Sequence, residues 1–362
     1  MGNPARTRRR LRLTLVALLS GCAMAEGGVR LLAPHLTDTR LLARQLEAGS
    51  IDSVTRPSAD PGLYFELRRN LDVVVDGARV VTDALGCRVP TVPAPPRPAG
   101  ADAPLRLAVL GASTSHGFRL AYEQSYAPLL ATRLEAALGR PVALGNFAVP
   151  AWNAEQQARD FETRVLAWRP DLVLWHYDHR DAFPMLLPGQ ALSLPPDFGD
   201  NPLGSAALKL LLRRLHERAL LARAHDGSGH ASVDHYFSAG PLYDRHLTAL
   251  RRVGALARER SLPVALVIFD AFLKPDDDAA AHFDGLHRDL VPRLQDFGFH
   301  VLDLFQPLQA QMLGEGWSDL SPFWISREPL DGHPNAAGHA WLAAALAPWL
   351  AGLAPASPAD PR

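Results

Sequence analysis

Two short stretches, more than two hundred residues apart, hold side chains suited to nucleophilic chemistry. The first is Leu105-Arg-Leu-Ala-Val-Leu-Gly-Ala-Ser-Thr-Ser-His-Gly117, in which an apolar run stops at Gly111 and Ser113 follows at once. That order predicts a buried strand ending in a tight turn, with the Ser113 hydroxyl at the carboxyl edge of a sheet, where open α/β sheets place their ligands. The second is Asp331-Gly332-His333-Pro334-Asn335, placed just before an apolar helical pattern. An imidazole at His333 could take the Ser113 proton and return it to a leaving group. A carboxylate at Asp331 could fix the ring's tautomer and stabilise its charged form.

Each stretch also has a plainer reading. Ser and Gly after a strand make a turn without chemistry. Asn335 can cap a helix whose dipole Asp331 complements. Gly332 and Pro334 predict a loop for the His333 segment. Between the two stretches, strand and helix patterns alternate. Strands over 107–110, 142–146, 171–177, 263–269 and 300–304 are interleaved with helices over 122–138, 155–168, 244–259 and 283–297, and a last helix covers 337–350. Five apolar strands joined by helical crossovers predict a parallel sheet covered on both faces.

These residues together resemble the SGNH (GDSL-like) hydrolase family. Gly111-Ala-Ser-Thr-Ser-His-Gly117 is similar to the first block, with Ser113 at the nucleophile. Asn146-Phe-Ala-Val-Pro-Ala-Trp152 is similar to the second, and Asp171 to Asp181 stands in the place of the third. Asp331 and His333 match the last block in its one-residue-spaced form. The resemblance covers roughly Tyr64 to Leu350 and implies the SGNH hydrolase fold, a flavodoxin-like three-layer sandwich with a five-stranded parallel sheet. It implies a Ser113-His333-Asp331 triad, with oxyanion donors from the amides of Ser113 and Ala151 and from the position of Arg180. Three residues depart from the family pattern: Ala112 for an aspartate, Ala151 for a glycine and Arg180 for an asparagine. An amide at Ala151 still donates, whereas a guanidinium at Arg180 is longer and charged.

What the resemblance implies is an acyl-transfer enzyme that removes short acyl groups, of the acetyl type, from a carbohydrate or another small ester. The same machinery could pass the acyl group to a sugar hydroxyl as an O-acyltransferase. Replacement of the oxyanion asparagine by Arg180 also leaves room for an inactive member that binds glycans or an envelope partner.

Composition narrows the classes further. With 362 residues, 48% of them hydrophobic, the chain can bury an ordinary core. Its 37 basic and 38 acidic residues nearly cancel, and no basic stripe interleaves with aromatics, which argues against a nucleic-acid partner. No phosphate loop or dinucleotide fingerprint is present, so no cofactor is expected. Histidines number fourteen; His176 and His179 fall on a strand and its following loop and should diverge, and no metal site is predicted. His116 either lines the pocket or is exposed, and His339 reads as structural.

Residues 1–25 read as a targeting segment: Arg6, Arg8, Arg9, Arg10 and Arg12 precede an uncharged run from Leu13 to Ala25, which at thirteen residues is short for a bilayer of ~30 Å. A cleaved export signal, a lipoprotein signal ending Leu19-Ser-Gly-Cys22, and an uncleaved anchor all fit. Each places the bulk of the chain outside the cytoplasm, and the last two tether it to a membrane through the N-terminus. The two cysteines, Cys22 and Cys87, exclude a disulfide framework, and Cys87 reads as a small buried apolar residue.

Residues 26–89 form a strap with a hairpin turning at Asp76-Gly77. A proline-rich linker over 90–104 leads to the main domain, 105–352, and residues 353–362 are an expected disordered tail. An insertion over 183–243 includes a basic amphipathic helix, Ala206 to Ala224. It suits a helix laid on the domain surface, a lid beside the site, or a helix lying on a membrane.

Overall fold

The computed structural model describes residues 4–32, 54–60, 62–92, 103–182, 201–224, 241–269, 277–326 and 331–356. The chain begins with helix α1 (Pro4–Leu32). A segment of short strands follows: β1 (Thr55–Pro57), β2 (Phe65–Leu67), β3 (Asp72–Val75), β4 (Ala78–Thr82) and β5 (Arg88–Val89). The alternating unit then runs β6 (Leu105–Leu110), the single turn α2 (Ser113–His116), α3 (Tyr126–Leu138), β7 (Val142–Asn146), α4 (Ala154–Asp160) and β8 (Leu172–Tyr177). Beyond these lie α5 (Ala206–Ala224), α6 (Pro241–Glu259), β9 (Val264–Ile268), α7 (Asp277–Asp296) and β10 (His300–Asp303). The described residues close with α8 (Phe305–Gly314), β11 (Trp324–Ser326), β12 (Asp331–Pro334) and α9 (Ala336–Leu353).

Among the described residues the main sheet has eight strands where five were expected, in the order β10-β9-β8-β6-β7-β5-β4-β3. The five from β10 to β7 are parallel, and β5, β4 and β3 extend that edge antiparallel. The strap therefore continues the sheet. Its hairpin turns through Asp76 and Gly77, with φ of 50° and 80°, the pair of positive values that a two-residue hairpin of this hand requires.

Side chains of β6 divide between two cores. Leu105, Leu107 and Val109 join α3, α8 and α9 on one face, while Ala108 and Leu110 join α4, α6 and α7 on the other. Burial on both faces explains the apolar runs Leu172–Trp175 of β8 and Val264–Ile268 of β9. A capping box starts α4: Gln156 N–H donates to the Asn153 side chain, and Asn153 N–H donates back to the Gln156 side chain. Gly139, at φ 64°, ends α3 with its N–H on the Glu135 carbonyl.

Three further expectations change. The predicted loop at 331–334 is the short strand β12, paired with β11. The helix over the expected targeting segment does not stop at residue 25: Arg9–Leu32 spans 24 residues and is long and apolar enough to cross a membrane, by length and composition. The helix after the insertion starts at Pro241, three residues before the expected Asp244. Most of the linker, over 93–102, most of the insertion outside α5, and the tail from 357 lie outside the described residues.

Candidate active site

Among the parallel strands β6 lies between β7 on one side and β8 on the other. Chain order reverses there, which opens a crevice at the carboxyl ends of the strands. Gly111 occupies that end with φ of 150°, and an added Cβ would lie 2.2 Å from Ser115 Oγ and 3.2 Å from the His176 carbonyl. Only glycine fits so close an approach. Ser113 then opens the four-residue turn α2, which Gly117 terminates at φ 78° by donating its N–H to the carbonyls of Ser113 and Thr114. The first N–H groups of a helical turn have no intrahelical acceptor, so the Ser113 amide is left available.

Several buried groups hold this turn from below. Ser115 Oγ lies 2.8 Å from Tyr126 Oη and 3.2 Å from His176 Nδ1, and the Asn146 amide donates to the Ser115 carbonyl at 2.9 Å. Arg88, carried in by β5, donates through its terminal nitrogens to the carbonyls of His116, Gly117 and Leu120. Desolvation lowers its guanidinium pKa to about 10. The turn between β4 and β5 is shaped by Asp83, whose carboxylate accepts from the N–H groups of Leu85 and Cys87.

His333 arrives from the other end of the chain on β12. Asn335, immediately after, caps α9 by accepting from the N–H groups of Ala337 and Gly338, and its side-chain amide donates to the carbonyls of Pro322 and Trp324. These bonds fix the strand-to-helix corner. His333 Nε2 lies 2.8 Å from Ser113 Oγ, in a partly buried setting where Ser113 retains 8% of its exposure. The Phe118 ring packs against the imidazole at a centroid distance of 4.8 Å.

The expected site residues fall into three groups. Ser113 and His333 are brought into contact. Ala151 lies in the neighbouring turn: Val149 N–H donates to the Gly111 carbonyl at 3.2 Å, and Trp152 N–H closes the turn on the Val149 carbonyl at 3.3 Å. Ala151 adopts φ of 67°, the conformation in which glycine would be unstrained. Asp331 is placed on β12 beside His333 by its backbone, while its side chain and that of Arg180 lie outside the described residues.

Asp181 is buried and structural: its carboxylate accepts from the Gln157 side chain at 2.6 Å and from the Asp178 N–H at 2.9 Å. Gln157 also accepts from the Trp175 indole, so the segment after β8 is tied to α4. His116 is buried rather than exposed, and burial pushes its pKa well below the ordinary value. Cys87 is buried, and Cys22 is exposed on α1. Among the described residues no group of three or more His, Cys, Asp or Glu side chains could hold a metal ion.

Sequence reasoning did not single out Phe118, Arg88 or the Ser115-Tyr126-His176 cluster. Nothing in the local sequence marks Phe118, whose contact with His333 is made only by the fold.

A hydroxyl in hydrogen-bond contact with an imidazole, at the edge where ligands enter an open α/β sheet, is the arrangement of a nucleophile and its general base. No protein-family model matches the chain, and no curated protein matches it. Solved structures similar to it include TesA, at 14% identity and a TM-score of 0.40, covering 68% of this chain and 99% of that one. An acetylxylan esterase from Geobacillus stearothermophilus is similar at 15% identity and a TM-score of 0.40, covering 67% and 91%. A lipase/acylhydrolase from Enterococcus faecalis is similar at 14% identity and a TM-score of 0.37, covering 70% and 99%. These neighbours are GDSL/SGNH family members.

Proposed function

We propose that the chain is an extracytoplasmic serine esterase that hydrolyses short acyl esters, of the acetyl type, on carbohydrates or other small molecules. The 2.8 Å contact between Ser113 Oγ and His333 Nε2 is the observation that supports it most directly. His333 takes the Ser113 proton as Oγ attacks the ester carbonyl. The oxyanion of the tetrahedral intermediate is held by the amides of Ser113 and Ala151, with the Arg180 guanidinium as a third donor. Collapse of the intermediate expels the alcohol, which receives the proton from His333 and leaves an acyl-Ser113. Water, deprotonated by His333, then releases the acid and restores the hydroxyl. Asp331 orients the imidazole and stabilises its charged form. Parallel-strand order β7-β6-β8-β9-β10 supports reading the core as a flavodoxin-like sandwich.

We read α1 as a retained membrane anchor. Its apolar stretch Arg9–Leu32, at 24 residues, has the length and composition to cross a bilayer, which supports this reading. A fluorophosphonate probe tests the enzymatic reading. Labelling of the full chain that disappears in Ser113→Ala is expected, together with acetate release from acetylated xylo-oligosaccharides or p-nitrophenyl acetate. Folded protein that neither labels nor releases acetate would refute it.

A further inference from the structure

Helix α5 starts against the outer part of α1. The Glu26 carboxylate accepts from the Ser205 hydroxyl at 2.8 Å and from the N–H groups of Ala206 and Ala207 at 3.0 Å, which caps α5 across a separation of about 180 residues. Arg30, one turn further on α1, donates to the Gly204 carbonyl at 3.0 Å. Glu26 and Arg30 are themselves paired at 2.7 Å. The origin of α5 is therefore fixed to the end of the helix we read as an anchor, opposite its arginine-rich start.

That end lies at a bilayer boundary if α1 spans. The 24 residues of Arg9–Leu32 rise about 36 Å at 1.5 Å per residue, slightly more than a hydrocarbon core of ~30 Å. With Arg9, Arg10 and Arg12 at one interface, the Glu26–Arg30 pair falls near the other. From there α5 presents leucines to solvent: Leu211 is 54% exposed, Leu212 39% and Leu215 54%. Together with Leu208 these positions follow the i, i+3, i+4, i+7 repeat and share one face. Leu203, just before the helix, is also exposed, as are Leu31 and Leu32 at the end of α1. On the same 3.6-residue repeat, Arg214 and Arg218 border the leucine face on one side and Lys209 on the other. The whole helix has five basic residues and one acidic residue.

We propose that the Leu208-Leu211-Leu212-Leu215 face of α5 lies on the lipid surface from which α1 emerges, and that Lys209, Arg214 and Arg218 engage anionic headgroups there. This rests on the reading of α1 as an anchor and adds a second membrane contact. An apolar stripe bordered by cations is the composition of a helix lying in the interface plane, where leucines enter the acyl boundary and cations meet negative headgroups. Burying the stripe would remove apolar surface from water, and the α1 attachment supplies the high local concentration that makes a weak surface contact persist. The contact would hold the body of the protein close to the bilayer.

The test uses the full chain in vesicles, in a Cys22→Ser background, with an environment-sensitive fluorophore at Leu211→Cys or Leu215→Cys. A second set carries the label at Leu15→Cys, within α1. Vesicles are phosphatidylcholine with or without phosphatidylglycerol, and quenchers are attached at shallow or deep positions of the lipid chains. The expected result is a blue shift at 211 and 215 with strong shallow quenching in anionic vesicles. Reversing Lys209, Arg214 and Arg218 to glutamate should abolish that quenching, while the label at 15 stays deeply quenched. A quenched label at 15 with water-like emission at 211 and 215 would overturn the surface contact but not the anchor. A blue shift at 215 without lipid quenching would mean that protein covers the face, and would also overturn it. Equal quenching in neutral vesicles would overturn the headgroup part. An unquenched label at 15 would sink the anchor and, with it, this proposal.

Discussion

The backbone N–H of Tyr126 donates to Nδ1 of His339 across 3.0 Å, and the two rings stack at a centroid distance of 5.8 Å. The bond joins the start of α3, which follows the candidate nucleophile, to the first turn of α9, which follows the candidate base. It also fixes the chemistry of His339. Nδ1 accepts, so the ring is neutral there, and burial, followed by the nearby positive groups, pushes its pKa down to about 3.

Acid should therefore destabilise the fold through His339. In the unfolded chain an imidazole takes its proton below about pH 6.5, whereas the folded one does so only near 3. The unfolded state then binds more protons as pH falls through this window, and stability is lost at about 1.4 kcal/mol per pH unit. From pH 6.5 to 5 the loss is about 2 kcal/mol for this residue. His246, also held down to about 3 by burial, adds a similar slope. In urea titrations at pH 7 and 5, His339→Gln, whose side-chain carbonyl can still accept from Tyr126, should lose about 2 kcal/mol less than the wild type over this interval. Equal losses would show that His339 does not titrate in this way.

Ser113 and His333 should fail together as a functional pair while the fold persists. Ser113→Ala removes the nucleophile, and His333→Gln leaves a hydroxyl without a proton acceptor. Each should lower esterase turnover by a factor on the order of 10⁴ or more, and the double variant should do little worse. Probe labelling at wild-type rate in folded His333→Gln would show that the contact does not activate Ser113.

Arg88 should matter to the nucleophile turn although it is remote in sequence. Arg88→Leu leaves the His116 and Leu120 carbonyls without their buried donor. At about 1–3 kcal/mol for each unsatisfied group, the fold should lose at least ~2 kcal/mol, with probe labelling slowed as the turn relaxes. Arg88→Lys should recover only part of this, because an ammonium on a flexible stem cannot reproduce the planar fork. Urea denaturation and labelling rates check both variants.

Much of the framework was legible because the physics is local. Uninterrupted apolar runs such as Val264–Ile268 signal a strand buried on both faces, and Asp76-Gly77 signals its hairpin turn. Gly111 and Gly117 around Ser113 signalled a constrained turn, and Asn335 signalled a cap. The edge strands were harder, since nothing in Arg88-Val89 reveals that Arg88 faces Asn146 on β7. The strand at Asp331–Pro334 was also hidden, because Gly332 and Pro334 argue for a loop until pairing with Trp324–Ser326 supplies the partner. Tertiary contacts such as Phe118 on His333, or Glu26 on Ser205, leave no local trace.

Ala151 offers the sharpest test of the oxyanion site, because its role depends on backbone rather than side chain. Pro150 and Ala151 are the central residues of a turn closed by Trp152 N–H on the Val149 carbonyl, and proline followed by a residue at positive φ is the type II pattern. An L-residue there costs roughly 1–2 kcal/mol, which glycine would avoid. Glycine also enlarges the unfolded ensemble, a penalty of about 0.4–1 kcal/mol, so Ala151→Gly should change stability by no more than about 1.6 kcal/mol and keep activity. Ala151→Val places a branched Cβ at positive φ and should destabilise the turn by more than the alanine does. Ala151→Pro removes the N–H and demands φ near −65°, so it should slow acylation by on the order of 10²–10³ if that amide holds the oxyanion. Comparing labelling rates of the three folded variants separates the donor from the turn. A proline variant that labels as fast as the wild type would place the second oxyanion donor elsewhere, and a glycine variant that loses activity would mean the alanine methyl, not the amide, is what the substrate meets.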